Sequence, residues 1–427
     1  MVDQREDPSR DRSAVELFAG GGGLAMAVHR AGFRPLLFNE FAKRACETLS
    51  ANGARRVPEG EGPWIPQPGD AWPLVEGDVC GLDFRYLDGK VDMLAGGPPC
   101  QPFSLGGVAR GDEDERNMFP QMFRAIREMK PKAVICENVR GLLRPSFKPY
   151  FEYILREMEL PFEERDSDAS WQQHDAVLKE RILEEGGDLS QRYRVIMTPV
   201  NAADYGVPQV RQRIIIVAFR ADLEVDLNKF KKLIEPTYSE AALARSMVDG
   251  DYWERHDVPA KIRKEVLKRL PSALPLADAK RPWRTLRDAL AGIEGIEGCE
   301  KPLPAVPFEL LDRQEHYLGG FTDHIGWPDA RIYPGHTPNE LDRPAKTVKA
   351  GVHGVPGGES VVLLDDGTHR YMTVRETARV MTFPDDWKLR GPRGEKMRQL
   401  GNAVPVVLGE VFAKAVAEAL DAAENKS

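Results

Sequence analysis

Apolar residues fall in short unbroken runs along the first half of the chain. "SAVELFAG" (13–20), "PLLFNEF" (35–41), "PLVEGDV" (73–79), "VDMLAGG" (91–97) and "KAVICENV" (132–139) each read as a strand apolar on both faces. Between them, "LAMAVHRAGF", "AKRACETLSAN" and "NMFPQMFRAIREMK" carry helical spacing. Strand alternating with helix predicts a parallel sheet covered by helices. "RYRVIMTPV" (192–200) and "RIIIVAFR" (213–220) lie too close together for a crossover helix and read as an antiparallel pair, which makes the sheet mixed.

Two stretches interrupt this rhythm. Residues 54–73 are rich in Pro, Gly and Trp and read as a surface loop. Residues 158–190 are acidic, with "AVLKERILEEGG" as one helix ending at glycine. After about residue 222 the alternation fades into a Pro-rich region. A helix-like segment, "YMTVRETARVMTF", stops at Pro384, and "VPVVLGEVFAKAVAEALDAA" is a strong amphipathic helix. The expected organisation is a catalytic and cofactor-binding domain over 1–222, a second, smaller domain over 223–370, and a C-terminal segment, 371–427, that returns to the first.

Composition narrows the class. The 427 residues are 42% hydrophobic and hold no apolar run of membrane-spanning length. The charged first residues do not read as a secretory signal. Five scattered cysteines argue for a reducing compartment, and the absence of a CxxC or HxxxH pair argues against a structural zinc. The net charge of −8 does not suggest a polyanion partner, yet residues 261–287 hold nine Lys/Arg against two Asp/Glu. That patch is either a solvated helix face or a footprint for phosphates.

Candidate chemistry gathers at the ends of the apolar runs. Gly20, Gly22 and Ala25 match the G-x-G-x-x-A spacing, in a cluster that runs from Gly20 to Gly23. Glu40 follows twenty residues later, where a ribose-binding carboxylate is expected, and Asp78 closes the third strand. A tight turn and helix N-capping account for these residues equally well one by one. Taken together they favour an adenosine-containing cofactor, with NAD and S-adenosylmethionine both open at this point. Cys100 stands behind Pro98 and Pro99 in "GGPPCQPFS". A packing thiol needs no such rigid frame, whereas a thiolate nucleophile must be aimed. Glu137 in "ENV" ends the next strand, and "QVRQR" supplies Arg211 and Arg213. The carboxyl edge of an open α/β sheet is where ligands bind.

These pieces resemble the cytosine-C5 DNA methyltransferases. The resemblance rests on "FAGGGG", "GGPPCQPFS", "ENV", "QVRQR", "RPAKTV" (343–348) and "LGNAV" (400–404), in that family's order, with "RETARVMTFPDDW" before the last. It implies a Rossmann-like, S-adenosylmethionine-dependent mixed sheet with a target-recognition domain. It implies that Cys100 attacks C6 of a flipped cytosine, that Glu137 holds N3 and the exocyclic amine, that Arg211 contacts the base and that Arg213 supports the site. Phe18, Gly20, Gly22, Gly23, Glu40, Asp78, Pro98 and Asn402 would surround S-adenosylmethionine. Gln101 and Ser104 would face double-stranded DNA, and "QPFSLGGVARGDEDERN" would be a loop that closes over it. Arg281, Arg284 and Arg287 are candidate base readers, with surface salt bridges as the alternative. No metal is expected. A bacterial, cytoplasmic monomer is expected, with a companion restriction endonuclease as one context. The alternatives are a tRNA cytosine-C5 methyltransferase, an NAD-dependent oxidoreductase, which leaves Cys100, Glu137 and Arg211 unexplained, and a catalytically dead DNA-binding module.

Overall fold

A computed structural model describes residues 12–99, 117–184, 186–271, 279–332, 334–350 and 360–425. Two compact units divide the chain: the first is Met1–Pro199, Arg213–Ile234 and Phe412–Ser427, the second Val200–Gln212 and Glu235–Val411.

The apolar runs become the strands of the first unit: β1 (Arg12–Leu17), β2 (Phe33–Glu40), β3 (Ala54–Arg56), β4 (Trp72–Glu76), β5 (Met93–Gly96), β6 (Ala133–Val139), β7 (Tyr193–Asn201) and β8 (Gln212–Arg220). They form one sheet in the order β3-β4-β2-β1-β5-β6-β8-β7. Every pairing from β3 to β6 is parallel, and β8 runs antiparallel to β6. The chain departs from β1 toward β2 on one side and returns to β5 on the other. The switch point therefore lies between β1 and β5, whose ends pair as Leu17 with Gly96. An open α/β sheet leaves its ligand crevice at such a point.

Helices α1 (Gly23–Arg30), α2 (Lys43–Ala51), α3 (Phe119–Met129), α4 (Lys148–Glu159), α5 (Trp171–Leu183) and α6 (Leu227–Leu233) belong to this unit, as does the helix Val406–Glu424 from Phe412 onward. Phe119, Met122, Phe123 and Ile126 of α3 and Phe151 and Ile154 of α4 pack with Val15, Leu94, Val134 and Ile216 in one core cluster. Cys46 and Leu49 of α2 pack with Phe38 and Leu74 in another. The sheet is apolar on both faces for this reason.

The 54–73 loop needs correcting. Its first residues form β3, which pairs with β4 at the sheet edge. Inside the acidic insertion, α5 starts earlier than its apolar residues suggest. Ser170 caps it, accepting from Gln173 N, while Gln173 reaches back to Ser170 N.

The second unit is built differently. Its strands are two to four residues long, as in the hairpin of His316–Leu318 with Phe321–His324. One apolar cluster gathers Leu243, Met247, Tyr252, Trp253, Val258 and Val266. Elsewhere buried arginines tie the loops. Arg379 donates to the carbonyls of Ala289, Cys299 and Lys301, and Arg370 pairs with Glu376 at 2.6 Å. None of the helices among the described residues is long and apolar enough to cross a membrane.

Candidate active site

In the first unit the site grows from the turn after β1. Phe18 and Gly20 both take positive φ, 58° and 54°, and Gly22 caps α1 at 89°. This conformation favours glycine, and it bares the backbone at the sheet's switch point. Glu40, at the end of β2, locks the turn. Its Oε2 accepts from Gly20 N at 2.7 Å and its Oε1 from Ala42 N at 2.6 Å. A carboxylate oxygen has two lone pairs, so both oxygens can still accept from a ligand. Asn39 donates to the carbonyls of Val75 and Gly77, which draws the end of β4 alongside. Asp78, two residues past β4, is exposed. Its Oδ1 accepts from Cys80 N, and that bond holds its carboxyl below the usual range. N-capping thus describes Oδ1 of Asp78.

Sequence reasoning passed over Glu16. It sits on β1, fully buried, and desolvation together with nearby Glu40 pushes its carboxyl well above the ordinary range. Its Oε2 has no hydrogen-bond partner among the described residues. An acid inside the apolar run "AVELF" was the available signal. A buried, unmatched carboxyl oxygen beside a bared glycine turn fits a cofactor that offers it a hydrogen-bond partner.

The catalytic motifs meet across the ends of β5 and β6. Gly96 sits where an added Cβ would lie 3.0 Å from both the Leu17 carbonyl and Met122 Sδ, so β1, β5 and α3 close tightly there. Asn138 Nδ2 donates to the Pro98 carbonyl at 3.2 Å, joining the proline pair to "ENV". A Cβ on Gly97 would lie 3.6 Å from Glu137 Oε2, an ordinary contact, so Gly97 stands beside that carboxylate. Arg213 Nε lies 2.8 Å from Glu137 Oε1. The approach makes an ion pair without the alignment of a hydrogen bond, and that oxygen keeps its accepting capacity.

Cys100, Gln101 and Ser104, and the loop that follows, lie outside the described residues. The four described cysteines are poor nucleophiles. Burial pushes the Cys46 thiol up to about 12 and raises that of Cys136 further. Desolvation and Asp78 raise Cys80, and Cys299 is buried against the Phe383 carbonyl. Thiolate chemistry requires the anion, so none of the four is prepared for it.

Arg211 belongs to the second unit and is fully buried. It donates to the carbonyls of Val348 (3.0 Å), Gly401 (2.7 Å) and Ala403 (3.0 Å). Gln209 Oε1 accepts from Val348 N, and Thr347 donates to the Val210 carbonyl. Three motifs far apart in sequence thus interlock at one guanidinium. Its Nη donors face backbone carbonyls, while Arg213 is the arginine beside Glu137. Asn402 is exposed at the end of the helix Arg393–Asn402, also in the second unit.

The arginines proposed as base readers divide. Arg287 is held by Asp342 and Asp365 through four hydrogen bonds, so the salt-bridge alternative describes it. Arg284 donates to the carbonyls of Gly206 and Glu294. Arg281 is exposed, with its guanidinium over the Tyr238 ring.

Comparison with known proteins decides the family. The model of the C-5 cytosine-specific DNA methylases matches residues 13–160 and 172–418. The chain belongs to that family. It is a DNA cytosine-C5 methyltransferase by that membership, and the oxidoreductase and tRNA-methylating alternatives are not favoured. It is 32% identical to the type II methyltransferase M.PspPI of a Psychrobacter strain, covering 98% of this chain and 82% of that protein. It is 31% identical to M.Eco47II of Escherichia coli, covering 96% and 79%. Among solved structures, the Dnmt2 methyltransferase of S. pombe shares the fold, with a TM-score of 0.51 at 15% identity over 97% of this chain and 99% of that one. The family implies S-adenosylmethionine as methyl donor in general terms, and DNA as substrate.

Proposed function

We propose that this enzyme flips one cytosine out of a specific duplex sequence and methylates C5 through a covalent bond to Cys100. The observation that carries the reading is the Glu137–Arg213 pair at the edge formed by β5 and β6, tied by Asn138 to Pro98, two residues before Cys100. Cytosine C5 is a weak nucleophile. Addition of the Cys100 thiolate to C6 forms the S–C6 bond and pushes electron density to C5. Glu137 accepts from the exocyclic amine, and a proton shared between its carboxyl and N3 stabilises the negative charge that addition creates. Arg213 holds Glu137 in place. After methyl transfer a general base takes the C5 proton and the S–C6 bond breaks, which restores the aromatic base and releases the Cys100 thiolate.

S-adenosylmethionine supplies an electrophilic methyl on sulfur. Phe18, Gly20, Gly22, Gly23, Glu40, Asp78 and Pro98 would hold it, with the buried Glu16 carboxyl offering it a hydrogen bond. Arg211 is assigned a positioning role rather than contact with the base. Extrusion of the base costs a few kcal/mol and gives the thiol access to C6. Residues 223–370 are assigned to target recognition, and 371–427 to a segment that serves the catalytic domain. The relatives named as type II methyltransferases support a restriction–modification setting with an endonuclease for the same site, in the cytoplasm of a bacterium. A monomer suffices for this chemistry.

Mapping 5-methylcytosine in DNA from cells expressing the chain tests the proposal. Methylation at one short sequence, lost in Cys100→Ser, is the expected result. Unmethylated DNA with the wild type, or methylation retained by Cys100→Ser, contradicts it.

A further inference from the structure

We propose that Arg313, Trp327 and Arg393, in the second unit, form an anion grip that holds one phosphate of the DNA backbone. The inference rests on the DNA-methylating function proposed above and adds a contact for its substrate. Arg313 is exposed and adopts φ 72°, a left-handed conformation that side chains rarely take. Its guanidinium carbon lies 4.0 Å from the centroid of the Trp327 ring. That of Arg393 lies 5.5 Å from the same ring.

Among the described residues neither cation has a carboxylate partner. The nearby acids are engaged elsewhere: Asp312 with His316, Glu315 with Lys396, and Glu395 with Arg398. Arg393 Nε is buried without a hydrogen-bond partner among the described residues. Desolvation lowers the pKa of this guanidinium, and Tyr371 is the only group that opposes the shift. Arg393 also opens the helix Arg393–Asn402, where the positive end of the helix dipole disfavours a cation.

Two like charges on one ring and a desolvated guanidinium are unfavourable, and among the described residues the indole face offsets them with no anion beside it. An oxyanion offsets both. Guanidinium groups bind phosphate through paired N–H donors, and an indole face orders them. Arg284 and Arg281 likewise share the Tyr238 ring, and burial lowers the Arg284 pKa as well, but two backbone carbonyls satisfy Arg284. Because Arg393 is half-buried beside the indole, the grip fits a backbone phosphate that approaches the surface, not a base edge within a groove.

The test compares wild type and Arg313→Ala in the full chain. Each is titrated with a duplex carrying the methylated site and with one of equal length in which the site is scrambled, over a range of KCl. The grip predicts that Arg313→Ala weakens both duplexes by a similar factor, roughly fivefold, and lowers the salt slope by about 1. Arg313 is exposed, so the melting temperature should match wild type. Unchanged affinity and slope overturn the grip. A loss confined to the specific duplex makes Arg313 a base reader and overturns it too. A wild-type chain that binds neither duplex contradicts the proposed function itself.

Discussion

The two units solve the same problem with different means. The first satisfies its backbone in an eight-stranded sheet and buries Val15, Leu94, Val134 and Ile216 beneath helices. The second has strands of two to four residues, so most of its carbonyls find no ladder partner. Arg211, Arg375 and Arg379 are among the largest fully buried side chains of the molecule, and all three lie in the second unit. A guanidinium offers five donors in a fixed fork, enough to serve several loop carbonyls at once. Where sheet is scarce, buried arginine takes over its hydrogen-bonding role.

Removing one partner of a buried pair should show the largest effect. Arg370→Ala leaves Glu376 buried without its cationic partner, and should cost about 3–5 kcal/mol. Chemical denaturation measures this, and a loss below about 1 kcal/mol would break the contrast between the units. In the first unit, Ile216→Ala removes apolar packing alone and should cost about 2–5 kcal/mol with no new dependence on pH.

The pH response sharpens the contrast. Arg370 and the Thr373 N–H outweigh burial and hold the Glu376 carboxyl below its ordinary value of 4.5. A depressed acid stabilises the fold above its unfolded pKa, and that contribution is lost as pH falls through the folded value. Glu157 in the first unit is the opposite case, since burial pushes it up to about 7. Its contribution is present below 4.5 and is lost as pH rises toward 7. Glu157→Gln should therefore flatten stability between pH 4.5 and 7, and Arg370→Ala should flatten it below 4.5. Melting curves across pH decide both. The smallest effect belongs to Ser170→Ala, which removes the α5 cap. It should cost about 1 kcal/mol and leave the rest of the first unit unchanged.

The same division governs what could be read in advance. Apolar runs of four to eight residues announce buried strands, so β1, β2, β4, β5 and β6 were legible together with the Glu40 and Glu137 positions at their ends. β3 was not, because three residues in a Pro- and Gly-rich stretch carry no period and become a strand only by pairing with β4. Glu16 was visible as an acid in an apolar run, but only its unpartnered oxygen gives it meaning. In the second unit the structure comes from donors and carbonyls remote in sequence. Arg211 meets partners 137 and 190 positions along the chain, and no local pattern announces that. For this reason its motif was recognised while its place in the structure was not.

The account turns on a sulfur–carbon bond to the base. Incubating the protein with S-adenosylmethionine and a duplex carrying 5-fluorocytosine at the methylated position blocks loss of the C5 substituent and traps that bond. The account predicts an adduct that survives denaturation and whose cross-linked peptide contains Cys100. No adduct, or one mapped to a different cysteine, would contradict it.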